Sequence, residues 1–226
     1  MPNSLTSPPV RPLLDRLFQA ADQDDAHWVT ILERDPDGAA AVSARDKADA
    51  YAELYIPVSP EGGRLLYTLV RASRPATVVE FGTSFGISTI HLAAAVRDNA
   101  VVGDNPAGHV ISTELHPGKA ARARANLAEA GLADLVTILE GDARETLAGL
   151  PGPVGFVLLD GWKDLYLPVL HLLEPRLPPG ALVIADDTIS LAAEMADYLA
   201  YVRDPANGYL SVLFPEADGL EITCRA

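Results

Sequence analysis

Residues 77–88 read TVVEFGTSFGIS. Thr77 to Phe81 form a short β-branched and aromatic run, and Gly82 and Gly86 bracket a small polar loop that leads into a segment long enough for a helix. The same grammar recurs downstream. HVISTE, LVTIL, GFVLLD and ALVIAD are further short apolar runs, each separated by helix-length sequence. Strands written as nearly continuous apolar runs are covered on both faces, so the pattern predicts an α/β fold built on a parallel sheet with helices on either side. At the C-terminus GYLSVLF and LEITC flank PEADG, which predicts an antiparallel hairpin closing a seven-stranded sheet.

Upstream, Pro8, Pro9 and Pro12 make an extended arm, and LLDRLFQAADQDDAHWVTILER then spaces apolar residues helically as far as DPDG at 35–38. A second helical stretch follows through Tyr55. Ser59 reads as an N-cap, with Pro60 at the first position of the next helix. Residues 1–56 are therefore expected to be a helical extension and residues 57–226 the α/β domain, the two forming one compact unit.

With 226 residues, 49% of them hydrophobic, the chain can bury a core without staples. Cys224 is the only cysteine, which excludes an intrachain disulfide framework and a cysteine zinc site and fits a reducing, cytoplasmic setting. It reads as a small apolar filler rather than a reactive thiol. A net charge of −14 with scattered bases argues against nucleic acid as a partner. No basic region precedes an apolar segment and no apolar run approaches a membrane span, so a soluble, unexported protein is expected.

In an open parallel sheet the ligand crevice lies outside the carboxyl ends of the strands. Here four strands end in acids or glycines: Glu80 to Gly86, Glu114, Gly141-Asp142 and Asp160. The glycine loop lacks the Lys-Ser/Thr of a triphosphate loop and the third glycine of a dinucleotide fingerprint, and Glu80 would repel a pyrophosphate. An acid there suits a cationic amino group, and Glu114 suits the hydroxyls of a ribose. A ligand with a ribose, an ammonium and no phosphate is S-adenosylmethionine. Singly, each feature has a plainer reading: a ligand-free turn at Gly82 and Gly86, a water-facing Glu114, a surface aromatic at Trp162.

Residues 158–187, LLDGWKDLYLPVLHLLEPRLPPGALVIADD, end two neighbouring strands in Asp160 and in Asp186-Asp187. Three converging carboxylates repel one another unless a cation neutralises them. All-oxygen ligation suits Mg²⁺, or less specifically Mn²⁺ or Ca²⁺, and the absence of a nearby His or Cys argues against zinc. The five histidines show no ligand spacing.

From about Pro57 to its end the chain resembles a class I S-adenosylmethionine-dependent O-methyltransferase of the metal-dependent, catechol O-methyltransferase-like family. The residues that carry the resemblance are VVEFGTSFGIS, ISTELHP, LDGWKDLYLP, ALVIADD and DGLE. It implies a Rossmann-like fold. Glu80 and the backbone at Gly82 would hold the methionine portion of the donor, supported by Ser88, with Thr83, Phe85 and Gly86 of the same loop also binding the donor. Glu114 would bind the ribose, and Leu115, Asp142, Ala143 and Trp162 the adenine, with Ser59 in a loop closing over the donor. The resemblance puts the metal on Asp160, which also borders the donor, and on Asp186 and Asp187; the last is commonly Asn in the family. Asp187 as the N-cap of a helix starting near Ser190 is the alternative.

Lys163 would be the general base moving a methyl group onto a metal-bound hydroxyl of a small, catechol-like acceptor, and a merely solvated lysine is its plainer reading. Counting back without gaps from Asp218, the acid that holds the acceptor's second hydroxyl in catechol-methylating relatives falls on Val212. A metal-independent N- or C-methyltransferase and a non-catalytic donor-binding module stay open. Bacterial-type members of the family are often dimers, which implies a homodimer with the helical N-terminus as interface.

Overall fold

The seven strands are β1 (Thr77–Phe81), β2 (His109–Glu114), β3 (Val136–Glu140), β4 (Phe156–Leu159), β5 (Leu182–Ala185), β6 (Tyr209–Phe214) and β7 (Leu220–Arg225). They form one sheet in the order β3-β2-β1-β4-β5-β7-β6; the first five run parallel, and β7 and β6 add antiparallel. This is the architecture expected from the apolar runs, with the PEADG hairpin on the edge. The structure is a computed structural model describing residues 3–34, 43–101 and 108–226.

The period of two along the inner strands divides the interior into two cores. Val78, Phe156, Leu158 and Ile184 face one side, and Val79, Val157, Leu159 and Val183 face the other. The first side is covered by α1 (Val10–Ala21), α4 (Pro60–Ser73), α5 (Ile87–Ala100) and α6 (Pro117–Glu129), the second by α7 (Ala143–Thr146), α8 (Tyr166–Leu173) and α9 (Ala196–Arg203). Between α1 and α4 lie α2 (Asp24–Arg34) and α3 (Ala44–Ala50). Helix α1 buries Val10, Leu13, Leu14 and Leu17, an i, i+3, i+4, i+7 stripe, in the same core as Val78 and Ile90. Ser59 caps α4 as expected, its Oγ accepting from the Gly62 amide at 2.8 Å with Pro60 at the first helical position.

Four expected elements differ. Residues 4–12, expected as part of an extended arm, are a short 3-10 helix (Ser4–Thr6) and the start of α1 at Val10, where Pro12 sits in the first turn and so breaks no helical hydrogen bond. The continuous N-terminal helix is two helices broken at Asp22-Gln23; Asp24 is the first residue of the second, and its carboxylate accepts from the Ile56 amide at 2.8 Å. The next helix stops at Ala50 rather than running through Tyr55: Leu54 and Val58 are buried from an irregular segment, and Tyr55 stacks on Phe85 at 4.2 Å. The last helix begins at Ala196, not near Ser190, since the amides of Thr188, Ile189 and Ser190 donate to the Gly219 and Asp218 carbonyls of the β6–β7 turn. The expected DPDG turn lies outside the described residues.

Candidate active site

The carboxyl ends of β1 to β4 open on a cavity of about 410 Å³. Its floor is the glycine loop. Gly82 has φ +103, and a Cβ there would sit 2.4 Å from the Asp160 carbonyl oxygen, so only glycine lets the loop pass the end of β4. Gly86, φ +88, starts α5. Of the loop residues, Gly82, Thr83 and Phe85 line the cavity with Ser88, whereas Gly86 and Glu80 do not. Glu80 is fully buried beneath the loop, its carboxylate accepting from Ser88, Thr89 and Ser112 hydroxyls. Burial pushes its pKa up against those three hydrogen bonds.

Glu114, at the end of β2, lines the cavity and accepts from the Ser84 and His116 amides, both at 2.8 Å. A carboxylate has about four lone-pair positions, so each oxygen keeps one for a ligand. Leu115, Asp142 and Ala143 line the same end. Asp142 caps α7 through the Arg144 amide and pairs with the Arg144 guanidinium at 2.6 Å, which holds its carboxyl below the ordinary range. Trp162 forms a wall there; it is no isolated surface aromatic, since Tyr51 packs against it at 5.6 Å and Lys47 Nζ lies 5.8 Å from its ring.

The N-terminal region supplies lining residues with no motif of their own: Trp28 from α2, Lys47 from α3, and Tyr51 and Tyr55 from the segment that follows α3. Tyr51 and Tyr55 are four apart, a spacing indistinguishable from a core face. Arg45 ties α3 down by donating to the Leu115 carbonyl at 2.6 Å. Lys119 also faces the cavity, 3.3 Å from Ser84 Oγ, with its pKa lowered by burial. Its one signal was its place in the first turn of α6, just after a strand-end acid.

At the far side of the cavity one carboxylate oxygen from each of Asp160, Asp186 and Asp187 lies within 4.8 Å of the others. Asp187 has φ +61 and does not act as an N-cap; its Oδ2 pairs with Lys163 Nζ at 2.6 Å. Lys163 is buried, donates to the Tyr166 hydroxyl at 2.8 Å and lies 3.9 Å from Asp160, so it is not a solvated lysine. Burial, then the neighbouring Asp186, raises the Asp160 pKa well above the usual range; burial, then Asp187, pushes Asp186 up to about 7. Oxygen donors that hold protons only because they are crowded and desolvated fit a hard divalent cation.

Asp186 and Asp187 also border a second cleft, of about 360 Å³, together with Ser59, whose hydroxyl donates to Glu216 of the β6–β7 turn at 2.8 Å. Val212 lines neither space; it is exposed in β6 opposite Ile222.

A methyltransferase-domain family model matches residues 79–188, from β1 to just past Asp187. Catechol O-methyltransferase B of Danio rerio is 32% identical over 199 residues, covering 82% of this chain and 71% of the relative. The chain belongs to the catechol O-methyltransferase-like family of class I O-methyltransferases. Catechol O-methyltransferase of Mycobacterium tuberculosis is 35% identical over 161 residues, covering 71% of this chain and 68% of that protein. A cofactor-bound structure from the same organism, Rv0187, superposes with TM-score 0.67 at 30% identity, covering 84% of this chain and 90% of that one. The protein is thus an S-adenosylmethionine-dependent O-methyltransferase, and the methyltransferase's large cavity sits where its fold places ligands. Among the described residues no helix is long and apolar enough to cross a membrane.

Proposed function

We propose that this methyltransferase transfers the methyl group of S-adenosylmethionine to one oxygen of a small aromatic vicinal diol, with a divalent cation, best Mg²⁺, held by Asp160, Asp186 and Asp187. The observation that carries the reading is the convergence of those three carboxylates beside Lys163 where the large cavity meets the second cleft. When bound there, such a cation neutralises the acids and makes a nearby hydroxyl more acidic.

The chain's own groups divide the remaining work. Glu114 binds the donor ribose through its free lone pairs, and Gly82, Thr83 and Phe85 border the methionine portion. Leu115, Asp142, Ala143 and Trp162 enclose the adenine. Glu80 and Ser88 act from below, as the hydrogen-bonded support of the glycine loop. Lys163 Nζ, positioned by Asp187 and the Tyr166 hydroxyl, takes the acceptor's proton once it has lost its own. Trp28, Tyr51 and Trp162 keep water from the donor, and alignment of the two substrates in one dry space supplies much of the rate. The family relationship and the oxygen-only cluster favour this over a metal-free N- or C-methyltransferase.

Donor consumption measured against a panel of catechols, with and without chelator, tests the reading. Asp160→Ala, Asp186→Ala and exhaustive metal removal are each expected to abolish turnover while S-adenosylhomocysteine still binds by calorimetry. Undiminished turnover without metal would overturn it.

A further inference from the structure

Strand β6 is the outer edge of the sheet and pairs, among the described strands, with β7 alone. An edge strand carries a row of free backbone N–H and C=O groups, and folded proteins blunt such edges with charges, prolines or bulges. Residues 209–214, YLSVLF, contain no charge and no proline. Their register with β7 runs unbroken from Tyr209 to Phe214, so there is no bulge either.

The side chains are as open as the backbone. Leu210 is 76% exposed, Val212 60%, Phe214 42% and Leu213 38%. Leu210, Val212 and Phe214 share one face of the strand, beside Cys224, Ile222 and Leu220 of β7. Leu220 and Ile222 still reach the core, whereas the three β6 side chains beyond them meet solvent. With Leu213 they expose on the order of 300–400 Å² of apolar surface, the scale at which a patch marks an interaction site. The N-terminal helices offer less: α1 turns its apolar stripe inward, and among the described residues of α1 to α3 Val29 is the one large apolar side chain that is exposed.

The direction of the free backbone groups follows from the end of the ladder. The Gly208 carbonyl accepts from the Ala226 amide at 2.9 Å, so the even-numbered residues of β6 bond to β7. Tyr209, Ser211 and Leu213 therefore point their N–H and C=O groups away from the sheet, where Ser211 and Leu213 find no backbone partner among the described residues.

We propose that β6 pairs antiparallel with β6 of a second copy of this chain, about a twofold axis through Val212, joining the two sheets into one. In this register Val212 faces the partner's Val212, and Leu210 faces the partner's Phe214, so the apolar face continues across the axis. Ser211 of each copy exchanges both backbone hydrogen bonds with Leu213 of the other. Pro215, which has no N–H, ends the ladder.

A second copy is the occupant because the strand selects for a partner that is uncharged and apolar at alternate residues, and β6 read in reverse meets that demand. The contact is then isologous and closes on itself. Two chains of net charge −14 repel, and along β6 they meet without setting acid against acid. A cationic partner finds no carboxylate on the strand to hold it. The apolar patch is about half of the roughly 800 Å² that each partner contributes to a standard interface, so the ladder and the rim supply the rest. A dimer of about micromolar dissociation constant is expected rather than a permanent one.

Sedimentation velocity of the full chain from about 1 to 100 µM tests the proposal, and the mass should move from one chain toward two across that range. Val212→Lys uses the device by which natural edges are blunted and sets like charges together at the axis. It should weaken association at least about a hundredfold, and Val212→Glu should do the same. An equimolar mixture of the two variants should associate again, because Lys then meets Glu across the axis. Unchanged S-adenosylhomocysteine binding by calorimetry shows that each variant is folded. If one fails that check, Leu210→Ser, which adds no charge, should still weaken association at least about tenfold. A wild type that remains one chain throughout, a dimer that survives Val212→Lys, or a mixture that does not reassociate overturns the proposal.

Discussion

Lys163 is the one cationic side chain among the described residues within 4.0 Å of the acid triplet, touching Asp187 and Asp160, and the sequence marks it only by its place three residues after Asp160. If it accepts the acceptor's proton, Lys163→Met should slow the chemical step by about 10²- to 10⁴-fold with donor affinity little changed, and the residual rate should climb with pH as hydroxide replaces it. Single-turnover kinetics across pH measures both; a fully active variant would place the base elsewhere. On the donor side, Glu114→Ala removes the ribose acceptor and also the partner of two backbone amides. A loss of roughly 1.5–3 kcal/mol in S-adenosylhomocysteine binding is expected, with Glu114→Gln losing less because it retains an acceptor oxygen. Calorimetry on the two variants separates the charge from the hydrogen bond. At this scale the sequence was informative where residue type and strand end coincide, as at Glu114 and Asp160. It was silent about Trp28, Tyr51 and Lys119, which reach the cavity only through tertiary packing.

Strands β1 to β5 and the β6–β7 hairpin were legible because burial on two faces writes itself as uninterrupted apolar runs, and PEADG can only turn. The helical boundaries were not, because what ends them is remote in sequence. The Ile56 amide fastens Asp24 at the start of α2, past the break from α1, and the Asp218 and Gly219 carbonyls hold Thr188 to Ser190 out of the last helix. That second contact seats the backbone that follows Asp187, and its weak point is Gly219, φ +89, where a Cβ would lie 2.5 Å from the Ile189 side chain. Gly219→Ala should therefore cost at least about 2 kcal/mol from strain and overpacking together. In thermal melting that is a drop of roughly 4–8 °C for a chain of this size. Divalent-cation affinity should weaken in parallel, because the same displacement moves Asp187. Gly82→Ala acts on the neighbouring element junction: it drives the glycine loop off the end of β4 and should weaken S-adenosylhomocysteine more than it weakens the cation.

For the whole molecule the acid triplet sets how stability responds to pH. In the folded chain Asp186 titrates at about 7 and Asp160 well above its ordinary range, so over the interval between an unfolded carboxyl near 4 and those values the folded state holds protons that the unfolded state has lost. The unfolded state then binds fewer protons, and stability falls as pH rises. Glu80 acts in the same direction. His91, lowered to about 4 by burial, acts oppositely, since unfolding lets it protonate; that opposition ends near its unfolded value of about 6.5. The window from about pH 6.5 to 8 therefore isolates the acids. Metal-free protein should lose on the order of 1–2 kcal/mol across it, seen as a falling melting temperature. Saturating Mg²⁺, which binds the ionised carboxylates, should add about 2.7 kcal/mol at a hundredfold excess over Kd and should add more at pH 8 than at pH 6.5, flattening or reversing the slope. Asp186→Asn removes one of the crowded charges, so it should raise the metal-free melting temperature at pH 8 and abolish most of the Mg²⁺ response. Scanning calorimetry of both proteins at the two pH values, with and without Mg²⁺, decides the matter: a melting temperature indifferent to Mg²⁺ at both would mean that the three carboxylates do not form a cation site.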